Sequence, residues 1–173
     1  VADYWHQVVK LNNWQKERIS QLIVNSLFGT VADKKLAVLG FAFKANTNDT
    51  RNSACIKICQ DLIEEGAILS IYDPKVGKDQ IEKDLCISDS DYELLDKGNS
   101  ILVDNIEAAI DGSYAVIILT EWEEFKKAKW HLLFKNMRRP AWIFDTRSII
   151  DVRMAEEIGF SVWQIGNSSR NNR

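Results

Sequence analysis

The 173 residues carry 22 Lys and Arg against 25 Asp and Glu, a net charge of -3 at pH 7, so a general basic field for nucleic acid or an acidic membrane is excluded and any anion site must be local. A hydrophobic fraction of 46% supports one sizeable core, and no apolar run approaches the length of a membrane span. Three cysteines without paired spacing fit a reducing, cytoplasmic setting, and 2 histidines without ligand spacing speak against a metal site.

The chain opens on Val1 rather than Met, which suggests a fragment, and residues 1–11 are aromatic-rich without a clear period, as at the end of something that packs elsewhere. Asn12 or Asn13 can cap the next helix, whose apolar positions Ile19, Leu22, Ile23 and Leu27 follow helical spacing, with Gly29 as its stop. Strand and helix then alternate. Residues 36–40 read as a strand and 53–65 as a helix with Cys55, Cys59, Leu62 and Ile63 on one face, ended by Gly66. Residues 68–72 are the next strand, closed by Asp73-Pro74. The polar segment 75–100 holds a short helix and a loop, Ile101 to Val103 a short strand, and Ile106 to Ile110 a helical turn or two. Ala115 to Leu119 is apolar throughout, as a strand covered on both faces should be. Strands at 142–145 and 161–165, with helical segments near 121–136 and 151–158, complete the pattern; the tail from Asn167 is polar. The expected fold is α/β, a Rossmann-like three-layer domain with a mostly parallel sheet of about six strands preceded by an N-terminal helix.

In such a sheet the loops leaving the carboxyl ends of the strands share one edge. After the first strand comes Gly40-Phe41-Ala42-Phe43-Lys44, running on to Asp49-Thr50-Arg51; after the 115–119 strand, Thr120-Glu121-Trp122; after the 142–145 strand, Asp145-Thr146-Arg147. Lys44 and Arg147, distant in sequence, would arrive at one rim. Arginine's planar fork and lysine's compact charge suit a diphosphate, and Phe43 or Trp122 could offer a face to a base or sugar. The alternative is ordinary loop charges in exposed ion pairs, such as Arg51 with Asp49. A G-x-G-x-x-G fingerprint is not present at this loop: Gly40 stands alone and Phe41 and Phe43 are bulky, so a primary NAD site on this domain is not expected. Cys55 and Cys59 lie one helical turn apart on a buried face and read as core, and Cys86 falls in the polar segment; no catalytic nucleophile is assigned.

Taken together, Gly40 to Lys44, Asn48-Asp49-Thr50-Arg51, Tyr72-Asp73-Pro74, Thr120-Glu121-Trp122 with Phe125 after it, and Phe144-Asp145-Thr146-Arg147 resemble the C-terminal domain of the UDP-glucose/GDP-mannose dehydrogenase family, most closely its UDP-glucose enzymes. The resemblance covers nearly the whole chain, and Asn12 to Gln15 resembles the close of the family's central helical region. It implies residues 1–30 as the end of that dimerising region, 31–166 as a UDP-sugar-binding domain and 167–173 as a flexible tail. It further implies a fragment, inactive alone, of a homo-oligomeric enzyme that oxidises UDP-glucose to UDP-glucuronate in two hydride transfers to NAD. The cofactor is held mainly by an N-terminal domain, and the catalytic cysteine motif has no counterpart here. By motif match Phe43, Lys44 and Arg147 would bind the UDP-sugar and Arg51 would reach the NAD across the interdomain cleft. Ala45, Asn52 and Thr146 depart from the family, which commonly has Lys or Pro, Glu, and Gly at those places. The competing implications are the same domain of a UDP-N-acetyl-hexosamine or GDP-mannose dehydrogenase, and a stand-alone nucleotide-binding or interaction module.

Overall fold

Apolar runs of four or five residues, covered on both sides, build the centre of the molecule. The computed structural model describes residues 17–85 and 102–167. Strands β1 (Lys35–Leu39), β2 (Ile68–Tyr72), β3 (Ala115–Ile118), β4 (Trp142–Asp145) and β5 (Ser161–Gln164) form one parallel sheet in the order β2-β1-β3-β4-β5. All four residues of β3 are buried, as is β1 beyond Lys35, so their uninterrupted apolar sequence reflects helices on both faces. Helices occupy residues 17–26 (α1), Ala54–Glu64 (α2), Lys78–Leu85 (α3), Ile106–Ile110 (α4), Glu123–Lys127 (α5), Trp130–Leu133 (α6) and Val152–Ile158 (α7).

Three helix starts have a local chemical cause. Ser53 caps α2 by accepting from the Cys55 N–H, Asn105 caps α4 at 2.7 Å from the Ala108 N–H, and Asp151 caps α7 through the Met154 N–H. At the other end of α1, Phe28 and Gly29 both adopt positive φ, and Lys34 Nζ donates to the Leu27 carbonyl at 2.8 Å, satisfying an orphan acceptor.

The expected sixth strand at 101–103 is, among the described residues, a single parallel bridge from Leu102 to Ile71. After that rung Asp104 and the capping Asn105 turn the chain into α4. With that rung counted third, the sheet follows the 3-2-1-4-5-6 order of doubly wound nucleotide folds, whose switch point lies between β1 and β3. The expected helix over 121–136 is three pieces: α5, α6 and a 3-10 turn at Phe134–Asn136. In one unbroken helix Phe125 and Trp130 would point about 140° apart. The extended residue Ala128 breaks the helix, both rings are buried, and Trp130 Nε1 donates to the Phe125 carbonyl at 3.1 Å. On α2 the buried face is Cys55, Ile58, Cys59 and Leu62; Ile58 takes the place expected of Ile63, which is only partly buried. Expectations for residues 1–16, 86–101 and 168–173 lie outside the described residues.

Candidate functional site

Register places the ends of all five strands on one edge: Tyr72 pairs with Leu39, Leu39 with Ile118, Ile118 with Asp145, and Asp145 with Gln164. The loops that start at Gly40, Asp73, Leu119 and Thr146 therefore share a rim, and they interlock. Gly40 has φ +92°, and a Cβ there would meet the Thr120 Cβ at 2.4 Å, so only glycine allows the loops after β1 and β3 to touch at the switch point. Thr120, fully buried, donates its hydroxyl to the Ala42 carbonyl at 2.7 Å.

Two buried carboxylates shape the rim from beneath. Asp73 Oδ2 accepts the Phe41 and Ala42 backbone N–H groups at 2.7 and 3.0 Å and the Trp122 indole N–H at 3.2 Å. Its Oδ1 accepts the Lys75 and Val76 N–H groups. Asp145, fully buried, accepts the Arg147 N–H through Oδ1 at 2.9 Å and the Ile149 and Ile150 N–H groups and the Gln164 side-chain amide through Oδ2. Both gather several donors around one charge, which makes burial tolerable. Asp145 thereby folds the turn that carries Arg147.

The four residues expected to touch ligands are distributed as follows. Phe43 is 48% exposed, with its N–H donated to the Asp49 carbonyl at 2.8 Å, and Lys44 beside it is exposed and makes no ion pair among the described residues. Arg147 donates Nε to the Leu119 carbonyl at 2.8 Å, and Glu121 Oε2 lies 3.4 Å from the same nitrogen without hydrogen-bond geometry. Leu119 in turn donates to the Leu39 carbonyl, and Thr120 holds Ala42, so Arg147 and the segment leading to Phe43 rest on the same loop. Arg51 stands apart. Its guanidinium forms a two-point pair with Asp49, Nε to Oδ1 at 2.9 Å and Nη2 to Oδ2 at 2.7 Å, and its side chain is 86% exposed. That hydrogen-bonded guanidinium, with a lesser pull from Lys44, holds the Asp49 carboxyl at about 2.

Trp122, considered as a platform for a base or sugar, is buried and spends its N–H on Asp73; Phe43 alone of the two presents a face to solvent. Cys55 and Cys59 are buried free thiols with sulfurs 3.7 Å apart, and Cys55 donates to the Gly40 carbonyl at 3.4 Å. Burial pushes the Cys55 thiol well up, so it is a packing residue under the Gly40 loop and not a nucleophile. A groove of about 430 Å³ lies elsewhere, between α1 and α2, lined by Ser20, Val24, Lys57 and the carboxylates Glu17, Asp61, Glu64 and Glu65. Four carboxylates against one lysine make it a poor place for an anion.

Sequence spacing does not reveal the roles of Asp73 and Thr120. The one local signal is an aspartate that closes a strand before proline, a place where carboxylates bond the following N–H groups.

The family model described as the UDP binding domain of the UDP-glucose/GDP-mannose dehydrogenase family matches residues 37–152, which contain every loop of this rim. The chain belongs to this family. It is 47% identical over 169 residues to a UDP-glucose 6-dehydrogenase of Drosophila melanogaster, covering 96% of this chain and 35% of that protein. It is 44% identical over 176 residues to UDP-glucose 6-dehydrogenase 4 of Oryza sativa subsp. japonica, covering 96% of this chain and 36% of the relative. The chain thus spans about a third of the length of the curated relatives it matches. Among solved structures, a UDP-glucose dehydrogenase of Pyrobaculum islandicum superposes with a TM-score of 0.61 at 25% identity over 89% of this chain and 32% of that one.

Of the three departures from the family's pattern, Thr146 and Asn52 are locally benign. Thr146 sits outside the positive-φ region, donating its hydroxyl to the Ile118 carbonyl at 2.8 Å, so the glycine of relatives is replaced without backbone strain; positive φ falls at Ser148 instead. Asn52 adopts φ 62°, which asparagine tolerates better than the glutamate common there. A dinucleotide does not fit the β1 loop of this domain: Phe41 is fully buried beneath it, and the Phe41 and Ala42 amides are already bound to Asp73.

Proposed function

We propose that the chain is the UDP-sugar-binding part of a UDP-glucose 6-dehydrogenase, inert on its own, which works with an NAD domain and a cysteine-bearing helical region. The observation that carries this reading is the anchoring of Arg147 on the Leu119 carbonyl, the loop that also holds Ala42 just before Phe43 and Lys44. That arrangement offers a fork and a point charge to a diphosphate and an exposed ring to a base or sugar. Membership in the family and 44–47% identity to UDP-glucose enzymes support UDP-glucose over other nucleotide sugars.

In this reading Phe43, Lys44 and Arg147 bind the UDP-sugar. Arg51, on the outer side of its loop, turns from Asp49 to an NAD phosphate when the other domain closes. The exposed pair lets go readily, because water screens it on both sides. Residues 1–30 end the central helical region, 31–166 form the binding domain and 167–173 a tail. Phe28, 77% exposed at the end of α1, supports packing of that region on a neighbour within a homo-oligomer. No helix among the described residues is long and apolar enough to cross a membrane, and two buried thiols suit a cytoplasmic setting. Calorimetric titration of the chain with UDP and UDP-glucose tests the reading: weak but saturable binding supports it, and no heat from folded protein at millimolar ligand overturns it.

A further inference from the structure

In dinucleotide folds the backbone N–H groups of the loop after the first strand hold a pyrophosphate, and an acidic residue near the end of the second strand reaches a ribose. Here the acidic residue at the end of β2, Asp73, turns into that loop itself. The Phe41 and Ala42 N–H groups, placed as phosphate donors would be, end on its Oδ2 at 2.7 and 3.0 Å. With Trp122, Lys75 and Val76 added, five donors converge on a carboxylate that is 7% exposed. Such a group has about four lone-pair positions, so none is left for another partner. A phosphate oxygen could enter only by expelling a like charge.

We propose that Asp73 is an internal stand-in for the phosphate this loop would otherwise hold, and that by filling its place it positions Phe43 and Lys44 for the sugar nucleotide above the rim. Ala42 is pinned on both sides, its N–H to Asp73 and its carbonyl to the Thr120 hydroxyl. Phe43 follows directly, with its N–H tied to Asp49. The direction of the Phe43 and Lys44 side chains is therefore set by a carboxylate that touches neither. Asp73 is a positioning residue, and it keeps dinucleotide phosphates out of the switch point. The second half of this inference rests on the UDP-sugar reading of the rim.

The test combines amide exchange and resonance shifts of the full chain with inorganic pyrophosphate and UDP as ligands. In the unaltered chain the Phe41 and Ala42 amides exchange as slowly as those of β3, and pyrophosphate does not move their resonances; fast exchange or a pyrophosphate shift overturns the proposal. In Asp73→Ala, pyrophosphate shifts and slows those same two amides, which a merely structural carboxylate would not predict; a folded variant showing neither overturns it. Asp73→Asn, which keeps the volume and turns a donor onto donors, supplies a second variant. In it residues 40–49 exchange at least tenfold faster while β3 stays protected, and UDP affinity falls at least tenfold. Retained protection and affinity contradict the positioning role. Absence of UDP binding in the unaltered chain sinks the rim reading alone, while the pyrophosphate arm still decides for or against the stand-in.

Discussion

Arg147, just past β4, reaches back to donate its Nε to the carbonyl of Leu119, 28 residues earlier, at 2.8 Å. The bond fixes the base of the guanidinium, so the direction of its terminal nitrogens is set before any ligand arrives. The Arg147 side chain is 35% exposed, which leaves it within reach of an incoming anion.

Removing that fork should cost binding and spare the fold. Arg147→Ala is expected to weaken UDP affinity ~10- to 100-fold, the range for loss of hydrogen bonds to a charged group. Arg147→Lys should recover only part, because a point charge does not match two phosphate oxygens at once. Calorimetry gives the affinities and thermal melting the control; a lysine variant equal to the parent rejects the two-point role.

Lys44 is expected to act through charge. Lys44→Ala should lower UDP affinity several-fold at low salt and make it less salt-dependent, with the melting temperature unchanged because the side chain is exposed. Titrations at two ionic strengths decide. An unchanged salt dependence removes Lys44 from the site.

Gly40→Ala tests the interlock. A Cβ at 2.4 Å from that of Thr120, on a backbone at φ +92°, must push two loops apart. The expected loss is about 2 kcal/mol or more, seen as a lower midpoint in denaturant. A neutral outcome would mean that the two loops are not held in contact.

Cys55 supplies a pH prediction. Burial is the largest cause raising its thiol, followed by the bond with Cys59. The native chain therefore keeps a proton that the unfolded chain loses above about 8.5. Its contribution to stability is full below that pH and declines as pH rises beyond it. Between pH 8 and 10 the melting temperature should fall less steeply in Cys55→Ala than in the parent. Equal slopes would show that the thiol is not desolvated.

Much of this architecture is legible in the chain because β3, β1 beyond Lys35 and β4 up to Asp145 are short apolar runs, the length and pattern of doubly covered strands. The rim follows from them, since parallel strands deliver their loops to one edge, and Phe43, Lys44 and Arg147 are visible as its exposed polar and aromatic side chains. What is not legible is which polar groups turn inward. Thr120 and Trp122 sit in a loop that looks ligand-facing, and Asp145 ends β4 beside it, yet all three are buried and serve their neighbours. Asp73 finds its partners in loops 32 and 49 residues away, and no linear spacing encodes that meeting. Of the expected sixth strand, the described residues show one parallel rung from Leu102 to Ile71 before the Asn105 cap starts α4.

A titration of the chain with UDP, followed residue by residue through its backbone amide resonances, bears most directly on the account. Shifts should gather at residues 43–44, 119–122 and 146–148. Saturable shifts confined to residues 20–25 and 57–65, in the groove between α1 and α2, would contradict it.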